Sequence, residues 1–377
     1  MDTLTRQSTL AAAKLVVVKV GSALLADPAT GALQADWLAA LVADAAAMRA
    51  RGQGVIMVSS GAIALGRAEL GLGPGALSLE EAQAAAAIGQ TRLVGAWGSA
   101  FARHDLRAAQ VLLTLEDTQN RRRYLNGRAT LAALLSLGAV PVVNENDTVA
   151  TDEIRYGDND RLAARVALMA GAGALVLLSD VDGLYSGDPR RDGAARHIAE
   201  VTAITPEIDA MAGGTGTAGA KGGMKTKLQA AQIAMQGGCA LAVARGDVMN
   251  PLRALEDGAR ATWFHPARST AAARKQWIAG MKPAGTVTVD DGAVAALGRG
   301  KSLLPAGVRA IEGDFSRGDP VTVVDGQGHP VATGLAGYSA GEARLIAGQR
   351  SDAIAGLLGY PGRAAMIHAD DILIWGT

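Results

Sequence analysis

The chain has 377 residues, enough for one large domain and one small one. It is 49% hydrophobic, 3% aromatic and 19% charged, which supports a packed core and excludes intrinsic disorder. Basic and acidic residues balance at 36 each, so a broad cationic surface for nucleic acid is not expected. The one cysteine, Cys239, rules out an intramolecular disulfide and a cysteine-based metal site, and fits a reducing, cytosolic setting. It opens the apolar run "CALAVA" and is expected to serve packing. The start, "MDTLTRQSTLAAAK", lacks the basic-then-apolar order of a signal peptide. No apolar stretch is long enough to predict a membrane span.

In chain order, "KLVVVKV" (14–20) reads as a buried strand and 36–51 as a helix. "GVIMVSS" (54–60) is the next strand, followed by helices around 62–70 and 79–104. "AAQVLLTL" (108–115) is a strand, 122–137 a helix, and "AVPVVNEN" (139–146) a strand. After a short hairpin at 152–156 come a helix at 159–170 and a strand, "ALVLLSD" (174–180). A helix at 224–237 and the strand "ALAVA" (240–244) complete the pattern. Unbroken apolar strands separated by helices predict an α/β fold with an open, mostly parallel sheet covered on both faces. Ligands then bind beyond the carboxyl ends of the strands. From "MKPAGTVTVDDG" (281–292) onward the apolar runs become short, alternating and broken by glycine, which predicts a small β-rich domain. The expected domains are therefore 1–280 and 281–377.

Polar residues cluster where these strands end. Lys19 closes the first strand, with Gly21 and Ser22 in the turn, and a lysine at the end of a buried strand points to an anion. Ser59, Ser60 and Gly61 link the second strand to a helix, an anion-friendly turn in which Ser60 also suits a cap. Asp180 ends another strand, either touching a nucleotide or simply terminating the strand. Between strand and helix lie "NEND" (144–147) and "GDND" (157–160), which are turn formers or donors and acceptors for a small polar substrate.

The stretch "GTGTAGAKGGMKTK" (214–227) contains G-x-G-x-x-G, but no strand precedes it as a dinucleotide turn requires. H-R-D, D-F-G and the Walker A pattern are absent from the chain. Its second half, "KGGMKTK", leads straight into a helix. Glycines there allow close backbone approach, the helix start offers N–H groups, and Lys225 and Lys227 add charge. It reads as a phosphate loop, or as a solvated loop ahead of a helix. "GYSAG" (337–341) matches the nucleophile elbow of hydrolases but lies in the β-rich tail, where Ser339 and Glu342 form a capping box instead. The five histidines have no zinc-binding spacing. Two lysines, glycine turns and few acids suit phosphoryl transfer, which works by positioning and charge neutralisation. A carboxylate acceptor fits best, because it is already ionised at neutral pH.

"VVVKVGS", "VSSGAIALG", "PVVNENDTVATDEIRYGDND", "LLSDVDGLY" and "KGGMKTKLQAA" together resemble the amino-acid kinase family, and the tail resembles a PUA domain. The resemblance extends over about 14–375 and is most specific in the "NEND…GDND" block, which matches members acting on glutamate. It implies ATP, Mg²⁺ and L-glutamate as ligands, L-glutamyl 5-phosphate as product, and the first step of proline biosynthesis. By position, Lys19 and Lys227 would neutralise the moving phosphoryl group and Asp160 would hold them. Gly21 and Gly61 would line the phosphate path, and Ser60, Asp147 and Asn159, with Gly61 beside them, would hold glutamate. Ser179 and Asp180 would meet the nucleotide together with Lys221, Gly222, Gly223, Met224, Lys225, Thr226 and Lys227. The family pattern has Gly-Thr where this chain has Ala220-Lys221, and Thr-Asp where it has Ser179-Asp180. A homo-oligomer (dimer or tetramer) and feedback inhibition by proline are also implied, with no membrane partner and no metal ligands from side chains. PUA domains often bind RNA, but residues 284–377 carry seven Lys and Arg against ten Asp and Glu, so RNA binding is not expected.

Overall fold

Six-residue runs rich in small and branched apolar residues become the longer strands of the first unit, and the Ala-rich amphipathic stretches between them become its helices. The computed structural model describes residues 9–27, 30–73, 75–149, 159–189, 192–212 and 223–375. The chain divides into two compact units, Met1–Thr270 and Ala271–Thr377.

The first unit opens with β1 (Leu15–Val20), α1 (Ser22–Leu25), α2 (Ala35–Ala50), β2 (Gly54–Ser59), α3 (Ala62–Glu69) and α4 (Leu79–Ala102). It continues with β3 (Ala108–Leu113), α5 (Leu115–Gln119), α6 (Arg121–Ser136), β4 (Val140–Glu145), α7 (Asn159–Ala170) and β5 (Ala174–Ser179). Then come β6 (Leu184–Tyr185), β7 (His197–Ile198), β8 (Glu200–Val201), α8 (Pro206–Met211), α9 (Met224–Gln236), β9 (Ala240–Arg245), α10 (Pro251–Glu256) and β10 (Ala261–Phe264).

The main sheet has the order β3-β4-β2-β1-β5-β9-β10-β8. Its pairings are parallel except that of β10 with β9. Side-chain alternation sends Val16, Val18 and Val20 of β1 into one core, with Leu38 and Leu41 of α2, Trp97 of α4 and Leu252 of α10. Val17 points the other way, into a core with Leu162 and Val166 of α7 and Leu228 and Ala231 of α9. Both faces are therefore covered, which is why the strands read as continuous apolar runs. Strand β10 was not expected from the sequence; "ATWF" is only four residues long. Cys239 is fully buried, and burial pushes its thiol up to about 12. No helix among the described residues is long and apolar enough to cross a membrane.

The second unit opens with α11 (Thr270–Ala279), whose first residue lies at the split between the units. It contains β11 (Gly285–Val289), α12 (Asp291–Gly298), β12 (Val308–Gly313), β13 (Pro320–Val324), β14 (Pro330–Leu335), α13 (Ala340–Ile346), α14 (Ile354–Leu358) and β15 (Ile372–Ile374). Its sheet order is β12-β11-β13-β14-β15, packed on a core that includes Val287, Val321, Tyr338 and Ile367. Arg274 of α11 is tied to this unit, its Nε donating to Asp371 Oδ1 at 2.9 Å. Ser339 caps α13 and its N–H and hydroxyl both reach Glu342 Oε2 at 2.9 Å. The serine of "GYSAG" is thus a helix cap in a β-rich unit, not a nucleophile.

Candidate active site

Parallel pairing brings the carboxyl ends of the central strands to one edge, where Val20 of β1 lies opposite Ser59 of β2 and Leu178 of β5. A cleft of about 1260 Å³ opens there. Lys19, Gly21, Ser60, Gly61, Asp147 and Asn159 line it, as do Asp160, Ser179, Asp180, Gly223, Met224 and Lys227.

One part of the cleft is built on charge. Asp160 lies in the first turn of α7, 2% exposed, where the helix N-terminus favours a carboxylate. Its Oδ1 is 2.7 Å from Lys19 Nζ and its Oδ2 is 3.0 Å from Lys227 Nζ. Thr226 Oγ1 approaches Oδ2 at 3.2 Å. Burial opposes the charge on Asp160, but the two ammonium groups overcome it and hold the carboxyl well below its usual range. Lys227 is itself buried, on α9. Counted alone, the two lysines and one aspartate sum to one positive charge in a setting with little water, which suits an anion in the cleft.

The neighbouring part is built on amides. Asn159 Nδ2 lies 2.6 Å from Ser60 Oγ, 3.2 Å from the Ser59 carbonyl and 3.3 Å from Asn144 Oδ1. Asn144 Nδ2 donates to Gln90 Oε1 of α4 at 2.7 Å. Asn159 Oδ1 is buried and has no hydrogen-bond partner among the described residues. Asp147 follows β4, half-buried and without an ion-pair partner among the described residues, and burial pushes its carboxyl up to about 6. Gly61 adopts φ 109° just ahead of α3. Only glycine takes that conformation without strain, and it lets the chain turn sharply after Ser60.

On the remaining side Ser179 donates to Asp180 Oδ1 at 3.0 Å, steadying an exposed carboxylate at the end of β5. Gly223 precedes α9 and Met224 opens it, so free N–H groups start at this edge. Lys225 is exposed and does not line the cleft, while Thr226 turns inward to Asp160. Lys221 and Gly222 lie outside the described residues, as do the hairpin expected at 152–156 and the Gly157–Asp158 half of its polar cluster. Sequence reasoning missed Gln90 and Trp97, whose Nε1 donates to Ser59 Oγ at 3.0 Å. Both sit in an Ala-rich helix, and nothing in the local pattern distinguishes them from packing residues.

A doubly wound sheet with two lysines gathered on one aspartate beyond its strand ends has the architecture of a phosphoryl-transfer enzyme. The amino acid kinase family model matches residues 14–245, and the PUA domain model matches residues 285–358. The chain belongs to the amino acid kinase family. It is 60% identical to the glutamate 5-kinase of Paracoccus denitrificans (strain Pd 1222), over 97% of this chain and 98% of that protein. The glutamate 5-kinase of Dinoroseobacter shibae (strain DSM 16493 / NCIMB 14021 / DFL 12) is 61% identical, over 97% of this chain and all of that one, 100%. That of Paramagnetospirillum magneticum (strain ATCC 700264 / AMB-1) is 58% identical, over 98% and 100% respectively.

Proposed function

We propose that the chain transfers the γ-phosphoryl group of ATP to the side-chain carboxylate of L-glutamate, giving L-glutamyl 5-phosphate and ADP, the first step of proline biosynthesis. The observation that carries this reading is Asp160 held between Lys19 and Lys227 at the strand ends, beside an amide-lined pocket with an underpaired acid. A carboxylate oxygen attacks the γ-phosphorus and the ADP oxygen leaves, so no proton has to be removed from the acceptor. Lys19 and Lys227 neutralise charge on the phosphoryl oxygens as it moves. Asp160, saturated by its lysines, acts as their holder and not as a base. Asp147 and Asn159 suit the ammonium group of an α-amino acid, and the Ser60 hydroxyl suits a carboxylate. Ser179, Asp180 and the start of α9 at Gly223 and Met224 form the nucleotide side.

Among the described residues no cluster of three or more His, Cys, Asp or Glu side chains stands where a metal would be held. Mg²⁺ enters this reading with the nucleotide phosphates, as Mg-ATP. Proline shares the α-carboxylate and ammonium of glutamate and competes for the same residues as a feedback inhibitor. The exposed Leu137 and Leu112 suit burial in a homo-oligomer, and the cytosol is the setting in which ATP and glutamate meet. The negative balance of the tail favours a structural or regulatory role for it over RNA binding.

The test is ADP release with Mg-ATP and L-glutamate, run beside aspartate, acetylglutamate and carbamate, with hydroxylamine present to trap an acyl phosphate. Turnover with glutamate and formation of its hydroxamate is the expected result. Turnover only with another acceptor discards glutamate and keeps the phosphate site.

A further inference from the structure

We infer that Gln90 is a positioning residue that commits the single hydroxyl proton of Ser60 to the acceptor substrate. The inference rests on the proposed acceptor pocket but concerns a residue outside it. It follows from the direction of a chain of hydrogen bonds.

An amide has one acceptor end and one donor end, so fixing one end of an Asn or Gln fixes the other. Gln90 Oε1 accepts from Asn144 Nδ2 at 2.7 Å. Asn144 must then turn its Oδ1 towards Asn159, whose Nδ2 approaches it at 3.3 Å. With Nδ2 on that side, the two N–H groups of Asn159 are shared among Asn144 Oδ1, Ser60 Oγ at 2.6 Å and the Ser59 carbonyl at 3.2 Å, the shortest contact being to Ser60. Ser60 Oγ is therefore an acceptor within the protein. Its own proton is left to point into the cleft that Ser60 lines, where a substrate carboxylate takes it. Were Asn159 reversed, its oxygen would capture that proton and the hydroxyl would meet the substrate with lone pairs only. Asn144 and Asn159 are 2% and 7% exposed, so water cannot readily replace a lost partner in the chain.

Helix α4 is built to hold Gln90 still. A Cβ at Gly89, the preceding residue, would stand 1.8 Å from the Ala62 carbonyl of α3, and one at Gly66 of α3 would stand 1.8 Å from the Ala85 carbonyl of α4. The two helix backbones touch directly, and α3 starts immediately after Ser60-Gly61. Two turns further along α4, Trp97 Nε1 donates to Ser59 Oγ at 3.0 Å. The helix thus touches the backbone of α3 just beyond the Ser59-Ser60 turn and reaches Ser59 itself through Trp97, with Gln90 between these two contacts.

The experiment is steady-state kinetics on Gln90→Met, Gln90→Glu, Ser60→Ala and the double variant Gln90→Met/Ser60→Ala, using whichever carboxylate acceptor the wild type consumes. Gln90→Met keeps the volume and removes the acceptor. It should raise KM for the acceptor about tenfold, the scale of one hydrogen bond to a charged group, and leave KM for ATP within about twofold. Gln90→Glu keeps an acceptor towards Asn144 and should stay within about threefold of wild type. In the double variant the Gln90 change should cost nothing beyond Ser60→Ala, because the proton it directs is already gone. An unchanged acceptor KM in Gln90→Met, equal damage in Gln90→Glu, or additive losses in the double variant would overturn the inference. Failure of the wild type on glutamate would count against the proposed substrate alone, since the same comparison then runs on the acceptor it does use.

Discussion

The two halves of the cleft solve opposite problems, although they meet at adjacent residues of α7. At Asp160 the carboxylate is answered before any ligand arrives: two lysines and a threonine surround it, and one positive charge is left over for the ligand. At Asn159 and Asp147 demand is left unmet, with a buried carbonyl oxygen lacking a partner among the described residues and a carboxyl pushed up to about 6. The first arrangement suits a group whose charge shifts during reaction, because preorganised cations cost no rearrangement when the transition state forms. The second suits recognition, because a ligand that supplies the missing partner gains more than one that does not. One helix start therefore carries a settled residue and an unsettled one side by side.

The largest losses are expected at the settled side. Lys227→Ala should lower turnover by about a thousandfold or more, with the fold intact because Asp160 keeps Lys19 and Thr226; ADP release together with a melting curve checks both parts. Asp160→Ala should cost about 3–5 kcal/mol of stability by leaving Lys19 and Lys227 without the carboxylate between them, read by denaturant unfolding. In the wild type the Asp160 contribution is full above the ordinary aspartate pKa and is lost as pH falls below about 4, since the folded-state value is depressed. Gly89→Ala should destabilise by about 1–3 kcal/mol through collision with the α3 backbone, and the melting temperature should fall accordingly. Smallest and most selective is the effect of pH on the unsettled side. Asp147 must be ionised to hold an ammonium group, so KM for glutamate should rise by up to about tenfold per pH unit below 6 while KM for ATP does not follow. Stability has the opposite sign at Asp147: its raised value favours the fold below about pH 4, and that gain is lost as pH rises through 6. Asp147→Asn should remove the pH trend in KM, and a trend that persists in that variant would assign it elsewhere.

Much of the fold was legible because buried parallel strands have no choice of composition. β1, β2, β4, β5 and β9 appear in the sequence as apolar runs, and each strand end that faces the cleft is marked by a change to Lys, Ser, Asn, Asp or Arg. Strand order was not legible, because β1 pairs with β2 on one side and with β5 on the other, more than a hundred residues away in sequence. The settled side of the site followed from residue type and the family resemblance, since a buried lysine at a strand end has few explanations. The direction of the amide chain did not. Gln90 is distant in sequence from Asn144 and Asn159, and the order of the three depends on which end of each amide faces which neighbour. Lys225 illustrates the reverse limit: its place in "KGGMKTK" suggested the phosphates, but the helical turn sends it outward while Lys227 goes in.

Burial of Cys239 leaves the native chain silent towards thiol chemistry. The chain has one thiol; it is fully covered and its deprotonation is pushed up to about 12. Thiol-directed reagents at neutral pH should leave the native protein unlabelled, because the reactive thiolate is absent and the sulfur out of reach. A cysteine introduced at exposed Lys225 would then carry a dye or spin probe at a single known position beside the cleft, without any native residue having to be removed first.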